Sequence, residues 1–167
     1  MIEIKPANTI EHYKVIKELA WKIMPDFYGP YIPQYHISFF LEKYQAVPAI
    51  EAQITNGFEY YLIHNSGNTA GYMAIQLNST ALLLSKLYML EIYRGKGLGK
   101  IAMEFIIDRA KKIKAPKIEL IVNRKNLRTI EFYKKWGFQI TESQVNKFEN
   151  GHSEEDYMMS LPIEKTL

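Results

Sequence analysis

Arg94-Gly95-Lys96-Gly97-Leu98-Gly99-Lys100 is the stretch of this chain best equipped for chemistry. An apolar, strand-like run leads into it and a helical pattern starts within it. Alternating glycines let a backbone turn sharply and approach a ligand closely. The first turn of a helix leaves N–H groups free and carries the positive end of the dipole. Together they form a cradle for an anion such as a pyrophosphate, with Arg94, Lys96 and Lys100 adding charge around it. Two common cradles are excluded by spacing. A P-loop needs GxxxxGK and then Ser or Thr, whereas Ile101 follows Lys100 and Arg94 stands where the first glycine belongs. A dinucleotide fingerprint needs GxGxxG, whereas these glycines fall at 95, 97 and 99. A bare GxGxG also suits a tight turn with no ligand.

A second candidate stretch runs from Asn123 to Phe138. By residue type alone, Tyr133 reads as core and Asn126 equally as an N-cap or a ligand. Lys134 and Lys135 read as a solvated face, Phe132, Trp136 and Phe138 as packing, and Gly137 as a helix C-cap. Charge sets this part of the chain apart. Arg94 to Lys147 carries 14 Lys and Arg against 5 Asp and Glu, while the rest carries 7 against 13. One region is therefore prepared for an anion, unless its charges only solvate a helix face.

The elements that must position these residues follow from periodicity. Ile2–Ile4 reads as a short strand. Thr9 caps a helix over Ile10–Ile23, broken by Pro25 and Gly29-Pro30. Gln34–Tyr44 and Ala49–Ile54 read as helices, the second closed by Asn56-Gly57. Phe58–His64, Ala70–Leu77 and Ala81–Ile92 read as strands, with a hairpin turn at Asn65–Asn68. Gly97–Ile113 is a helix, Lys117–Asn123 a strand, Leu127–Lys135 a helix, Phe138–Phe148 one or two strands and Tyr157–Leu161 a last strand. The order is helix-rich, then a β-meander, then βαβαβ. It predicts one mixed α/β sheet with helices on its faces, in a single domain over 1–167.

Composition narrows the function class. The apolar and charged fractions, 47% and 23%, are ordinary globular values and exclude a disordered or fibrous chain. No apolar run approaches a membrane span, and Met1–Lys5 lacks a signal peptide's basic and apolar regions, so a cytoplasmic location is expected. With no cysteine, a disulfide scaffold, a Cys-ligated zinc site and a cysteine nucleophile are excluded. His12, His36, His64 and His152 are scattered, and no metal site is expected.

Arg94-Gly95-Lys96-Gly97-Leu98-Gly99 resembles the R-x-x-G-x-G pyrophosphate loop of the GNAT N-acetyltransferases, and Leu87-Tyr88-Met89 resembles that family's strand before the loop. Glu91 stands where the family usually has proline. Asn126–Phe138 is similar to the family's N-x-x-A-I-x-F-Y-x-K-x-G-F pattern, with Thr129 in place of alanine. The two motifs, correctly ordered and spaced, cover about a third of the chain. The resemblance implies a largely antiparallel central sheet of six to seven strands with a parallel pair near the loop. It implies acetyl transfer from acetyl-CoA to a primary amine by direct attack in a ternary complex. Acetyl-CoA would be held by Leu87, Met89, Arg94, Gly95, Lys96, Gly97, Leu98, Gly99, Lys100, Asn126 and Lys135, with Tyr133 as the catalytic residue facing the sulfur. A phenol, ~10, is a reasonable donor to a thiolate, ~8.5. Backbone N–H groups near Met89 and Leu90 would polarise the thioester carbonyl.

The general base is left open. Glu91, Glu119 and Glu59 are candidates, and a water chain is preferred over all three. Trp21–Tyr44 holds 8 of the chain's 22 aromatics, and its loop is too aromatic for a plain connector. Phe27, Tyr28, Tyr31 and Glu91 are therefore the expected acceptor contacts, against the alternative of a satellite hydrophobic cluster. Ser38–Leu41, Gly57–Leu62, Gly71-Tyr72 and the tail Gly151–Met158 resemble the bacterial spermine/spermidine (PaiA-like) branch, which makes a polyamine the leading acceptor. An amino acid, peptide or drug-like amine is the alternative. Asp26, Glu42, Glu51 and Glu59 are the carboxylates on offer to a polycation, while Glu154-Glu155-Asp156 reads as a solvated turn. A non-catalytic acetyl-CoA sensor is the rival reading. No nucleic-acid motif accompanies the basic stretch. A homodimer through C-terminal strand edges is compatible with the sequence.

Overall fold

The Oγ1 of Thr9 accepts from the N–H of His12 at 3.2 Å and starts α1, Ile10–Tyr28. The expected break at Pro25 is corrected: the helix runs through it and stops at Gly29. A proline removes one backbone hydrogen bond. The buried face of Ile16, Leu19, Ala20, Ile23 and Met24 holds the helix together around that loss. The extra turn carries Phe27 and Tyr28.

The computed structural model describes residues 1–164; the last three residues of the expected 1–167 domain lie outside the described residues. After β1, Ile2–Pro6, and α1 come α2, Gln34–Tyr44, and α3, Val47–Thr55. Next in the chain are β2, Phe58–Asn65, β3, Asn68–Leu77, and β4, Leu82–Met89. The second half is α4, Leu98–Lys112, β5, Lys117–Asn123, α5, Leu127–Lys135, β6, Gln139–Lys147, and β7, Ser153–Pro162.

Two strand expectations are corrected. The strand expected to reach Ile92 ends at Met89, where the Leu90 N–H makes a last bond to the Ala70 carbonyl and Glu91–Tyr93 forms a 3-10 turn. The last strand begins at Ser153 rather than Tyr157, because Glu154–Asp156 pairs along β6 and Asp156 also pairs with Asn123 of β5. The acidic run is thus sheet, and Asp156 is only 5% exposed.

The sheet order is β1-β2-β3-β4-β5-β7-β6. Every pairing is antiparallel except β4–β5, so the expected mixed sheet with one parallel pair is what the chain forms. Alternation along the strands divides the core in two. Ile63, Met73, Ile75, Leu82 and Ile118 face α4 and α5. Tyr60, Leu62, Tyr72 and Ala74 face α1, α2 and α3.

One irregularity in the sheet decides which side chains reach each face. The β3–β4 register shifts where Ala74 opposes Lys86 but Ile75 opposes Leu84, leaving Ser85 as a bulge. A one-residue bulge reverses which side chains face which side. Leu82 and Leu84 pack on the α4 side before it, and Leu87 and Met89 do so after it. Lys86 and Tyr88 are thereby turned to the α1 side.

Candidate active site

The parallel pairing of β4 with β5 lasts only for Leu82 with Ile118 and Leu83 with Glu119. Beyond it the strands part. A cavity of about 1280 Å³ occupies the gap, walled by Ser85–Met89 on one side and Leu120–Asn123 on the other. The gap passes through the sheet. On one face it meets Gly99, Asn126, Phe132 and Tyr133, and on the other Phe27, Tyr28, Tyr31 and His36.

Backbone polarity in the gap is set by register. The Leu90 N–H bonds to the Ala70 carbonyl, and Tyr88 pairs with Tyr72. Backbone groups of alternate strand residues point to opposite neighbours. The N–H groups of Leu87 and Met89 therefore face the gap, while that of Leu90, expected there, is already committed to β3.

At one end of the gap stands the glycine loop. Gly95 and Gly97 have φ of +75° and +83°, and space for a side chain is open around both. Their left-handed backbone lets the chain turn abruptly into α4, at little cost for glycine alone. Gly97 is the N-cap, without a side-chain cap, and no acidic residue lies in the first turn. The first N–H groups of a 15-residue helix are thus left for an anion. Gly99 has another reason to lack a side chain: an added Cβ would sit 3.3 Å from the Phe132 ring, so it lets α4 and α5 pack closely.

Tyr133 is placed by α5, whose N-cap is Asn126; the Asn126 Oδ1 accepts from the Thr129 N–H at 3.3 Å. Gly137, φ +98°, ends the helix, and the Phe138 N–H closes back on the Tyr133 carbonyl. Tyr133 is 7% exposed, on the cavity wall. Burial, aided by the nearby Tyr88, pushes its phenol above the ordinary range, so it holds its proton.

Of the expected site residues, nine share the cavity wall. They are Phe27, Tyr28 and Tyr31 on one side, Leu87, Met89 and Arg94 along the strand and loop, and Gly99, Asn126 and Tyr133 on the other side. Arg94 folds back, its Nε donating to the Met89 carbonyl at 3.2 Å with the guanidinium over the Phe27 ring. Gly95, Lys96 and Gly97 lie exposed in the loop and Lys100 exposed in the first turn. The Leu98 side chain is core, so only its backbone serves the loop. Glu91 and Lys135 are exposed and not on the wall. Lys135 is two residues from Tyr133, roughly 200° around a helix.

Other wall residues escaped the sequence reading. Lys125 and Arg128, at the start of α5, line the cavity where Lys135 does not. Lys86 is 7% exposed on the wall, its Nζ donating to Ser85 Oγ at 3.0 Å and lying 5.9 Å from the Phe58 and Tyr60 ring centres. Burial pulls its ammonium down to about 8. Tyr28 and Tyr88 join hydroxyls at 2.7 Å. None of Glu59, Glu91 and Glu119 lies on the wall. Glu59 instead pairs with Arg109 at 2.7 Å, and that partner holds its carboxyl below the usual range. Of the four carboxylates offered to a polycation, only Asp26 is on the wall; Glu154 and Asp156 join it there.

Two histidines that are far apart in sequence meet beside Glu154. The rings of His36 and His152 stack with centroids 4.0 Å apart, and their Nε2 atoms lie 3.3 and 3.4 Å from Glu154 Oε1. The three side chains are of metal-ligand type and their ligand atoms all lie within 4.8 Å of one another, with the two rings stacked. Burial pulls His36 down to about 4 and also lowers His152, so both are neutral near pH 7.

Comparison with known proteins places this arrangement. Residues 16–138 match the acetyltransferase (GNAT) family. An uncharacterized N-acetyltransferase of Mycobacterium bovis is 35% identical over 96 residues, which are 57% of this chain and 61% of that protein. The chain thus spans about three-fifths of the length of the curated relatives it matches. Among solved structures, the PaiA N-acetyltransferase of Thermoplasma acidophilum, in complex with coenzyme A, superposes with a TM-score of 0.79 at 18% identity over 97% of this chain and 99% of that one. The Escherichia coli ribosomal-protein-S18-alanine N-acetyltransferase gives 0.76 at 18% identity, covering 100% and 97%. The Vibrio cholerae spermidine N-acetyltransferase, with CoA and spermine, gives 0.73 at 16% identity, covering 97% and 95%. At such identities the likeness is one of fold, and the sequence match supplies the family: the chain belongs to the acetyltransferase (GNAT) family, the acetyl-CoA-dependent N-acetyltransferases its two motifs resemble.

Proposed function

We propose that this chain transfers the acetyl group of acetyl-CoA to a primary amine, and that the two substrates meet in the gap between β4 and β5. The observation that carries this reading is that one cavity joins the two faces of the sheet. Tyr133 and the start of α4 stand on one side, and an aromatic pocket on the other. The bound thioester would supply the acetyl group; everything else falls to the chain's own residues.

The open N-terminus of α4 and the left-handed Gly95 and Gly97 fit a pyrophosphate. Lys125 and Arg128 are placed to add charge from the opposite wall. The N–H groups of Leu87 and Met89 are positioned for a carbonyl oxygen on which charge develops during attack. Tyr133 holds its proton in a poorly solvated setting until negative charge forms on the leaving sulfur, and then gives it up. Direct attack requires the amine to enter from the α1–α2 side.

For the acceptor we propose a polyamine. Support comes from the tyrosine-rich wall of Tyr28, Tyr31 and Tyr88, which suits a cationic chain, and from two carboxylates on that wall, the buried Asp156 and the half-buried Glu154. The fold is also shared with PaiA and with a spermidine N-acetyltransferase. We place the enzyme in the cytoplasm, which is compatible with the absence, among the described residues, of a helix long and apolar enough to cross a membrane. A homodimer would pair through β6, the outer strand, where Ile140 and Val145 are exposed.

The test is a thermal-shift and thiol-release screen with acetyl-CoA against polyamines, amino acids, aminoglycosides and a lysine peptide. Stabilisation by acetyl-CoA with turnover on polyamines is expected. Turnover confined to another amine class would replace the acceptor. Stabilisation with no turnover would favour the sensor, and no stabilisation would overturn the whole reading.

A further inference from the structure

We infer that Tyr31, Glu154 and Asp156 form the binding site for the acceptor's ammonium group, and that Glu154 takes the proton which the amine must lose. This rests on the proposed acetyl transfer, and extends it to the residues that receive the amine.

Buried polar atoms are nearly always paired. Among the described residues, three buried side-chain polar atoms have no partner: Tyr31 Oη, His152 Nε2 and Asp156 Oδ1. All three belong to the same corner. Tyr31, Glu154 and Asp156 stand on the cavity wall, and His152 Nε2 lies 3.4 Å from Glu154 Oε1. Asp156 is 5% exposed; its other oxygen accepts from Asn146 Nδ2 at 2.6 Å, so Oδ1 is the one left over.

The charge balance of the corner points to a cation. Neither carboxylate has a lysine or arginine within 4 Å among the described residues; the only basic groups at that distance are His36 and His152, at Glu154, and both are held neutral. Their Nε2 atoms are close to Glu154, and that of His152 is buried without a hydrogen-bond partner. A buried Asp156 beside a half-buried Glu154, with no cation, is a costly pair, and the site lowers that cost by admitting one. An ammonium brings a positive charge and three donors, matching Asp156 Oδ1, a Glu154 oxygen and the Tyr31 hydroxyl.

Register puts the corner beside the chemistry. Asp156 pairs with Asn123, the β5 residue at the open end of the gap, and Glu154 is two residues along the same face of β7. The groups that face Glu154 are Asp156 from β7, Asn123 from β5, His36 from α2, His152 from the β6–β7 turn, Tyr31 from the α1–α2 loop and Tyr88 from β4. Burial, then the Asp156 charge, pushes the Glu154 carboxyl up to about 7, against a smaller pull from Asn123. A carboxylate that titrates near neutrality is matched to proton transfer at working pH.

The step balances. An ammonium N–H proton passes to the Glu154 carboxylate, and the freed lone pair forms the N–C bond while the C–S bond breaks. The nitrogen loses its second proton to solvent. Sulfur takes the Tyr133 proton, and solvent reprotonates Tyr133 and deprotonates Glu154. One proton is released per amide formed.

The full-length chain is tested with 1,4-diaminobutane as probe and 1,4-butanediol as its uncharged control. Binding is read by calorimetry and turnover by thiol release, from about pH 5 to pH 9. The wild type is expected to bind the diamine and not the diol. Asp156→Asn should weaken diamine binding about tenfold, with Tyr31→Phe as the milder variant if circular dichroism shows Asp156→Asn unfolded. Glu154→Gln should lower kcat on the order of 100-fold, abolish the rise of kcat with pH through about 7, and leave acetyl-CoA binding unchanged. Absence of diamine binding, or equal binding by wild type and variants, overturns the site. A retained pH rise in an active Glu154→Gln overturns the proton role. If the wild type binds and turns over acetyl-CoA while the variants match it, only this inference falls. If acetyl-CoA neither binds nor turns over, the transfer reading falls, and the diamine titration still decides the site.

Discussion

The two sides of the cavity are built in opposite ways. The cofactor side is made by short contiguous segments: a loop and helix start over Arg94–Lys100, and a capped helix over Asn126–Lys135. Much of its work is done by backbone, whose geometry a glycine or a cap residue announces directly. The proposed acceptor side is assembled from Tyr31, His36, Tyr88, Glu154 and Asp156 of the wall, with His152 beside Glu154, residues spread over more than a hundred positions of the sequence. It works through side chains, brought together by a helix lying over a hairpin. The proposed cofactor side would serve one fixed ligand and can reuse a fixed motif. The aromatic loop of Phe27, Tyr28 and Tyr31 is the one part of the acceptor side with a linear pattern; its carboxylates and histidines have none.

The largest expected effect sharpens the cofactor side. Tyr133→Phe should lower kcat on the order of 100-fold while changing the KM for acetyl-CoA little, measured by steady-state thiol release. An unchanged kcat would move Tyr133 from chemistry to packing. Next, Arg128→Ala should raise the KM for acetyl-CoA about tenfold and Lys135→Ala should leave it unchanged, since only Arg128 stands on the wall. The reverse result would mean that motif position, not the wall, governs phosphate contact.

The acceptor side is probed by its buried cation. Lys86 has its pKa lowered in the folded state, so between about 8 and the ordinary lysine value the unfolded chain binds more protons. Stability from this group therefore rises with pH through that window. From pH 8 to pH 9 the rise is about 1 kcal/mol, while the buried tyrosines, whose pKa values are raised, act the other way above about pH 10. Lys86→Met should remove the rise and increase Tm at pH 7, as read by paired denaturant titrations of variant and wild type. Identical pH slopes would show that Lys86 is solvated in solution. The smallest effect is expected of Gly99→Ala, whose methyl group would press on Phe132 at 3.3 Å and cost about 1 kcal/mol of stability. Gly97→Val, forced into a left-handed backbone, should instead weaken acetyl-CoA binding.

Legibility divided along the same line. The glycine loop, the Asn126 cap, the Gly137 stop and the order of strands were readable because each depends on neighbours within a few residues. Pro25 misled, because a helix's cohesion comes from packing: a buried face up to Met24 is continued past the proline by half-buried Phe27 and Tyr28. The exposure of Lys135 was not legible, because residue type carries no azimuth; only the placement of Tyr133 on the wall turns Lys135 to solvent. Glu154-Glu155-Asp156 looked like a solvated turn because acidic runs usually are one, and nothing local told that Asn123 and Asn146 would flank it in a sheet.

What the sequence by itself determined is the family, the mixed sheet and the glycine turn into α4, since these rest on local backbone preferences and on the order of apolar faces. The tertiary structure alone decided that β4 and β5 part after two paired residues, and that a bulge at Ser85 turns Tyr88 and Lys86 toward the acceptor side. It also decided that two neutral histidines and two carboxylates share one corner, with His36 and Asp156 buried in it. Strand divergence, bulge parity and burial are properties of contacts between distant segments, and such contacts exist only once the chain has closed on itself.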